Sequence, residues 1–324
     1  MSFDLSAKIQ EAAPGASLAV PAGTYQVNLR LDKPLRLVAV GQVVLDGGRR
    51  GPVLSVSCPG GQVLLSGLLL AGGESTEGGG GLDVVAGQLE ALDCTFRFNQ
   101  APLTGGGALR VSGEASAVLT RCRFEGNTGR QGGALLVDEL ASLTLQDCLL
   151  AQNAAVLGGA LSVREAATAT LLGCTLADNR VLGEGAAGSA IFTGGSSTRA
   201  PVVTLRHCVL SERAPGPSFL ENLPAAKATL HLDNCLLPGW CQALGGDNLF
   251  AAAAFTLEGH EPYRLGPDSP GAHAASDGAF APLAKDLTGH SRTPRPGLRQ
   301  ALGAFALAQR SSGAYDSTTE KIHE

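Results

Sequence analysis

The sequence predicts an all-β fold: a right-handed parallel β-helix, a solenoid of about eight three-strand rungs with a short N-terminal capping helix and an irregular C-terminal cap. Three observations predict it. Cys94, Cys122, Cys148, Cys174, Cys208 and Cys235 recur at intervals of 28, 26, 26, 34 and 27 residues, each within a similar phrase. A period near 26 residues marks a solenoid. Inside each period the apolar residues alternate in steps of two, the side-chain period of a strand. Glycine is abundant, 44 in 324 residues, and sits between the alternating pieces, where the chain must turn.

The elements follow in chain order. Residues 3–13, F-D-L-S-A-K-I-Q-E-A-A, form an amphipathic helix stopped by Pro14-Gly15, and residues 1–14 are assigned to a cap. A coil needs one, because an open end exposes unpaired strand edges. The coil is assigned to 15–240. It opens with V-P-A-G-T-Y-Q-V-N-L at 20–29 and L-R-L-V-A-V-G-Q-V-V-L-D-G at 35–47. Val63/Leu65 and Leu68/Leu70 fit the next rung, with Gly67 taken as its member of the cysteine column. Each later rung starts with G-G-A-L, at 106–109, 132–135 and 158–161, decaying to G-S-A-I at 188–191. Leu109/Val111, Leu135/Val137 and Leu161/Val163 point inward on the first strand; Ala117/Leu119, Leu143/Leu145, Ala169/Leu171, Val203/Leu205 and Leu230/Leu232 do so on the second. Cys94/Phe96, Cys122/Phe124, Cys148/Leu150 and Cys174/Leu176 do so on the third, with a parity shift that demands a corner before the cysteine. The repeat fades after about 241. Residues 241–310 are assigned to a C-terminal cap and the polar 311–324 to a flexible tail. At ~4.8 Å per rung the coil spans about 38 Å.

Composition limits the function classes. Aromatics are 4% and charged residues 16%, too little charge and too much Ala, Leu and Val for a disordered chain. The net charge of −5 offers no basic field for a nucleic-acid partner. No apolar run reaches the ~18 residues of a membrane span. The N-terminus shows no positive region followed by an apolar one, which predicts a cytoplasmic chain unless it is exported by another route or has lost a leader.

The phrases G-G-A-L and F-x-x-N (Phe96–Asn99, Phe124–Asn127) resemble the GGA[ILV]/FxxN repeat of chlamydial polymorphic outer-membrane proteins and of bacterial right-handed β-helix repeat proteins that share it. The opening V-P-A-G-T-Y…L-D-K-P-L-R-L-V…V-V-L-D-G is similar to the first coil of that superfamily. D-N-L-F at 247–250, Y-R-L-G-P-D-S-P-G-A at 263–272, D-L-T-G at 286–289 and L-G-A-F at 302–305 are similar to its C-terminal markers, with Ala272-His273 in place of Ile-Asp. The resemblance covers about 14–307. It implies the fold, and it implies adhesins, surface proteins and proteins of unassigned role rather than one activity.

Several constellations are candidate sites. Stacked strands place the six column cysteines on one inward line, which lacks the convergence zinc needs and has poor geometry for disulfides. They are read as a reduced structural ladder, leaving Cys58 and Cys241 as the cysteines to suspect of reactivity. Asn99, Asn127, Asn153 and Asn179 stack at one corner and are read as a structural asparagine ladder. No cofactor or metal is expected. Asp93, Arg121 and Asp147 share a column on the outside of the third strand, Arg97 and Glu125 another. Asp93, Arg121, Arg123 and Asp147 are the candidate binding residues for a protein or polysaccharide partner. The row Thr144, Thr170 and Thr204 is read as ordinary strand chemistry. His207, His231, His260, His273 and His290 assemble into no catalytic or metal set. Neither the N-T-D…D-D…G-H-G…R-I-K series of polygalacturonases nor the Asp-rich calcium cluster of pectate lyases occurs.

The functional expectation is a non-enzymatic binding or scaffolding module presenting an elongated surface. The alternatives are a diverged polysaccharide lyase or glycoside hydrolase, and a component or partner of a bacterial secretion or phage-like apparatus. The oligomeric state is left open.

Overall fold

The chain is described from a computed structural model over residues 3–195, 199–212, 220–222, 228–238, 241 and 248–251, with isolated positions at 253, 255, 263, 265, 269, 286, 287 and 303. It is a parallel β-helix. Every rung-to-rung strand pairing is parallel. The first-strand file runs from Leu29–Leu31 through Leu109–Val111, Leu135–Val137 and Leu161–Arg164 to Leu220–Asn222. Among the described residues the file holds eight strands and so encloses about seven turns, in keeping with the solenoid of about eight rungs that the sequence predicts. At ~4.8 Å per turn the coil is about 34 Å long.

The N-terminal helix, Leu5–Glu11, begins where the Asp4 carboxylate accepts a 3.0 Å hydrogen bond from the Ala7 N–H. Asp is a favoured N-cap because it satisfies a donor that has no partner within the helix. Its apolar residues Leu5 and Ile9 are buried in the coil's core. At the other end Lys33 Nζ donates to Gln10 O and Ala12 O, at 3.0 and 2.7 Å, placing a cation where the helix carbonyls lack partners.

A rung turns through three corners, and each demands a residue with positive φ. Gly113, Glu139 and Glu165 sit between the first and second strands, with φ of 68°, 62° and 54°. Asp93, Arg121, Asp147, Gly173, His207 and Asn234 sit between the second and third, with φ from 50° to 61°. Phe98, Gly126, Gln152 and Asp178 sit just after the third, with φ from 53° to 64°. This is the left-handed region, which costs a non-glycine residue about 1–2 kcal/mol. Gly67 aligns with Asp93, and Leu68 aligns with Cys94, one position from the sequence assignment. The error has a simple source: the glycine belongs to the corner, and the inward residue follows it.

The three-strand rung also needs amending. Gln100–Ala101, Thr128–Gly129, Ala154–Ala155 and Arg180–Val181 form a short fourth parallel file after the asparagine corner. This file explains the glycine pairs. A Cβ on Gly133 would lie 2.1 Å from Gly159 O and 2.6 Å from Ala154 N, and one on Gly132 1.9 Å from Leu135 O. The first glycine thus crosses its own first strand and the second rests on the fourth file. Only a residue without a side chain fits either approach. The loop at 73–81 ends in the same way, with Gly79 against Leu82 O and Gly80 against Gln100 O.

The interior is one continuous cluster of Leu, Val, Ala and Cys, in which Phe96 and Phe124 stack at 4.8 Å with planes 8° apart. Residues assigned to the C-terminal cap are described at a few positions. Leu249–Phe250 pairs with Leu236–Leu237 and continues the third file. Tyr263 and Leu287 pack on Leu149, Ala151 and Ala177, and Leu265 packs on Val209 and Leu236. The contacts of Tyr263, Leu265 and Leu287 lie on the outside of the third-strand face, and Leu249–Phe250 lies on the last strand of that file. Residues 311–324 lie outside the described residues, as do His260, His273 and His290.

Candidate functional site

The third-strand face is divided in two. From Leu149 onward its outward residues Leu149, Ala151, Thr175, Ala177, Val209 and Leu236 are buried, and Ser211 is half-buried. On the two rungs before, the outward residues are Thr95, Arg97, Arg123 and Glu125. Arg97 and Glu125 share one register position, and the Arg97 Nε donates to Glu125 Oε2 at 2.7 Å. Arg123 Nη1 lies 3.8 Å from Glu125 Oε1. The result is a charged shelf, bordered on one side by the C-terminal segment.

The corner column adjoins this shelf. Arg121 binds Asp93 through two parallel contacts, Nε to Oδ1 at 2.8 Å and Nη2 to Oδ2 at 2.9 Å. The hydrogen bond to Asp93 holds the Arg121 guanidinium above its usual value, burial opposes this, and the charges of Asp93 and Asp147 add to it. Asp147 is 0% exposed, so of the four candidate binding residues it alone lies beneath the surface. The side chains of Asp93 and Arg121 stand on the corner, and that of Arg123 stands on the strand face beside Glu125.

The asparagine corner is hydrogen-bonded from rung to rung. Asn99, Asn127, Asn153 and Asn179 are buried. Asn127 Oδ1 accepts from the Asn99 N–H and Nδ2 at 3.0 and 3.1 Å. Asn127 Nδ2 in turn donates to Phe96 O and to Asn153 Oδ1, both at 3.0 Å. Asn153 and Asn179 repeat the pattern against Phe124 O and Leu150 O.

The column cysteines Cys94, Cys122, Cys148, Cys174, Cys208 and Cys235 are buried and free. Cys122 Sγ donates to Ala91 O and Thr120 O, and Cys148 Sγ to Leu119 O and Gln146 O. Burial pushes the Cys122 and Cys174 thiols well up. Cys58 and Cys241, suspected of reactivity on sequence, are also buried. Burial raises both thiols, that of Cys241 to about 11, with Glu212's charge adding to it. A thiol held protonated is a poor nucleophile, so the environment of both cysteines argues against the suspicion. Among the described residues no group of three or more His, Cys, Asp or Glu is placed to hold a metal ion. Among them, too, no helix is long and apolar enough to cross a membrane.

No family model matches the chain, and no curated protein does. The likeness to polymorphic outer-membrane repeats therefore rests on the sequence phrases alone. Among solved structures the chain is similar to the pectin methylesterase from Aspergillus niger in deglycosylated form, at 12% identity and a TM-score of 0.41, over 80% of this chain and 89% of that one.

Sequence reasoning missed a second concave feature. On the first face, Arg30, Ser55, Asp83 and Arg110 share one outward register position. A groove of about 320 Å³ opens there, lined among others by Asn28, Arg30, Pro52, Ser57, Asp83 and Val85. Burial pushes the Asp83 carboxyl up, opposed by the Gly79 N–H and the Arg110 charge. The signal was present as four polar residues at one register position, but the loops that bound the groove are irregular in sequence.

Proposed function

We propose that the protein is a non-enzymatic binding module, and that the charged shelf of Asp93, Arg97, Arg121, Arg123 and Glu125 is its contact surface for an extended polymer, a polysaccharide or a polypeptide strand. The observation that carries this reading is the boundary on the third face. Tyr263, Leu265 and Leu287 pack on its apolar rungs, and beside them Arg97, Arg123 and Glu125 form a polar strip on a rigid sheet, with Arg97 exposed and Arg123 and Glu125 half-buried. The acids there are engaged by guanidinium groups: Asp93 by Arg121, Glu125 by Arg97. Glycoside hydrolysis instead uses two carboxyl groups that flank the bond, about 5–9.5 Å apart, and a carboxylate held in an ion pair is a poor proton carrier. The lyase or hydrolase alternative gains no further support from this geometry, nor does the secretion-apparatus alternative.

Two measurements test the proposal. Arg97→Ala and Arg123→Ala should each weaken binding of the cognate polymer several-fold, the first without loss of fold because its side chain is exposed. Turnover of uronic-acid and neutral polysaccharides should stay at the blank rate. Reproducible cleavage abolished by Asp93→Asn or Asp147→Asn would overturn the reading.

A further inference from the structure

The corner after the third strand holds Phe98, and the coil gives no reason for a phenylalanine there. That corner imposes positive φ on each of five rungs, and the other four use Gly72, Gly126, Gln152 and Asp178. Gly meets that geometry at no cost, and a large aromatic is one of the residues least suited to it. Phe98 has φ of 53° and is nevertheless 61% exposed, so the conformation is not offset by burial of the ring. Strain held in an exposed side chain points to use, not to packing.

Its surroundings define what the ring would meet. Phe98 follows Arg97 in the chain, and its ring lies over Gly126, which follows Glu125; a Cβ on Gly126 would come within 2.8 Å of the ring. The ring therefore flanks the Arg97–Glu125 ion pair. Beyond Gly126 the same corner is occupied by Gln152 and Asp178, both hydrogen-bonded to the Tyr263 hydroxyl at 2.9 and 3.1 Å. The exposed aromatic thus stands beside the shelf, two rungs from the Gln152 position that Tyr263 bonds.

We infer that Phe98 is a stacking platform for one ring of an uncharged saccharide, whose hydroxyls are met by Arg97, Glu125 and Arg123. This rests on the proposed binding function and names its ligand class. A sugar ring presents a C–H face, which suits an aromatic ring, and a rim of hydroxyls, which suits planar guanidinium groups that donate and carboxylate groups that accept. The shelf's charges argue against a polyanion. Three arginines face two surface acids and the buried Asp147, and the acids on the surface are paired, so the local field is too small to steer a charged chain.

The test is affinity electrophoresis of the whole chain in gels containing dextran, mixed-linkage β-glucan, galactan or polygalacturonate. At least one neutral glycan should retard the protein, with little effect of added salt. Phe98→Asn should weaken that binding about tenfold or more, the range for an aromatic anchor, with Tm unchanged or raised, because Asn tolerates positive φ. Phe98→Tyr should bind as the parent does. Parent-like binding by Phe98→Asn, or a lowered Tm for it, would overturn the role of Phe98 and leave the shelf reading standing. Salt-sensitive retardation by polygalacturonate alone would overturn the saccharide class. Retardation by none of the four would overturn the saccharide inference, and loss of any effect of Arg97→Ala and Arg123→Ala on polypeptide binding as well would then remove the binding function itself.

Discussion

At the scale of single residues, the asparagine corner shows how much one side chain can satisfy. Asn127 accepts two hydrogen bonds from Asn99 and donates two, to Phe96 O and Asn153 Oδ1. Asn127→Ala would leave the Asn99 N–H and the Phe96 carbonyl short of partners in a buried place, and each such group costs about 1–3 kcal/mol. The variant is expected to lose about 3 kcal/mol in urea denaturation, within the range of two such losses. An equal loss for Ser142→Ala, on the solvent side of the second strand, would show that the corner has no special standing. The Asn spacing was legible from the F-x-x-N phrase. The burial of Asp147 was not, because nothing in its own rung distinguishes it from Asp93; the third strand beside it is packed by Tyr263 and Leu287, more than a hundred residues further along the chain, which a local pattern does not report.

At the scale of elements, the glycine pair is the clearest case of a motif with a steric cause. The two glycines of G-G-A-L are needed because two backbones cross there at closer than side-chain distance. Gly133→Ala would place its Cβ 2.1 Å from Gly159 O, a backbone atom with no freedom to move aside. It is expected to fold poorly or to lose more than about 3 kcal/mol, the overpacking limit. Gly185 provides the contrast: its φ is 70° but nothing lies within 4 Å of a Cβ there. Gly185→Ala should cost only the conformational penalty, about 1–2 kcal/mol. Comparable Tm losses in the two variants would refute the crossing argument. The sequence placed the pair at a corner but left out the fourth strand file, because two-residue strands are too short to show alternation.

For the whole molecule, Glu212 couples the end of the third file to its surroundings. Burial raises its carboxyl to about 7 from 4.5; a hydrogen bond with Ser189 opposes this and the charge of Asp178 adds to it. Between about pH 4.5 and 7 the folded chain keeps a proton that the unfolded chain has lost. The folded state binds more protons there, so stability falls as pH rises across that window and is flat in this term above it. Glu212→Gln is expected to remove the fall, measured as the difference between the two chains' urea midpoints at pH 5 and pH 8. An unchanged pH dependence would refute the assignment.

The sequence by itself determined the coil. Its period, its two-step alternation and its corner glycines are all local or near-neighbour properties, and a solenoid is built from near-neighbour contacts, so each rung repeats the same instruction. The inward cysteines, the corner asparagines and the N-terminal helix were legible for that reason. Only the tertiary structure decided which outer surface is free. Leu149, Ala151 and Val209 carried a hint, as apolar residues on an outward parity, but what packs on them is the chain around Tyr263, Leu265 and Leu287, which returns from far along the sequence with no periodic pattern. The contacts of Tyr263 and Leu287 adjoin the charged shelf, and Phe98 beside that shelf is exposed. Contacts between distant, non-repeating segments leave no period in a sequence, and the candidate site is bounded by such contacts.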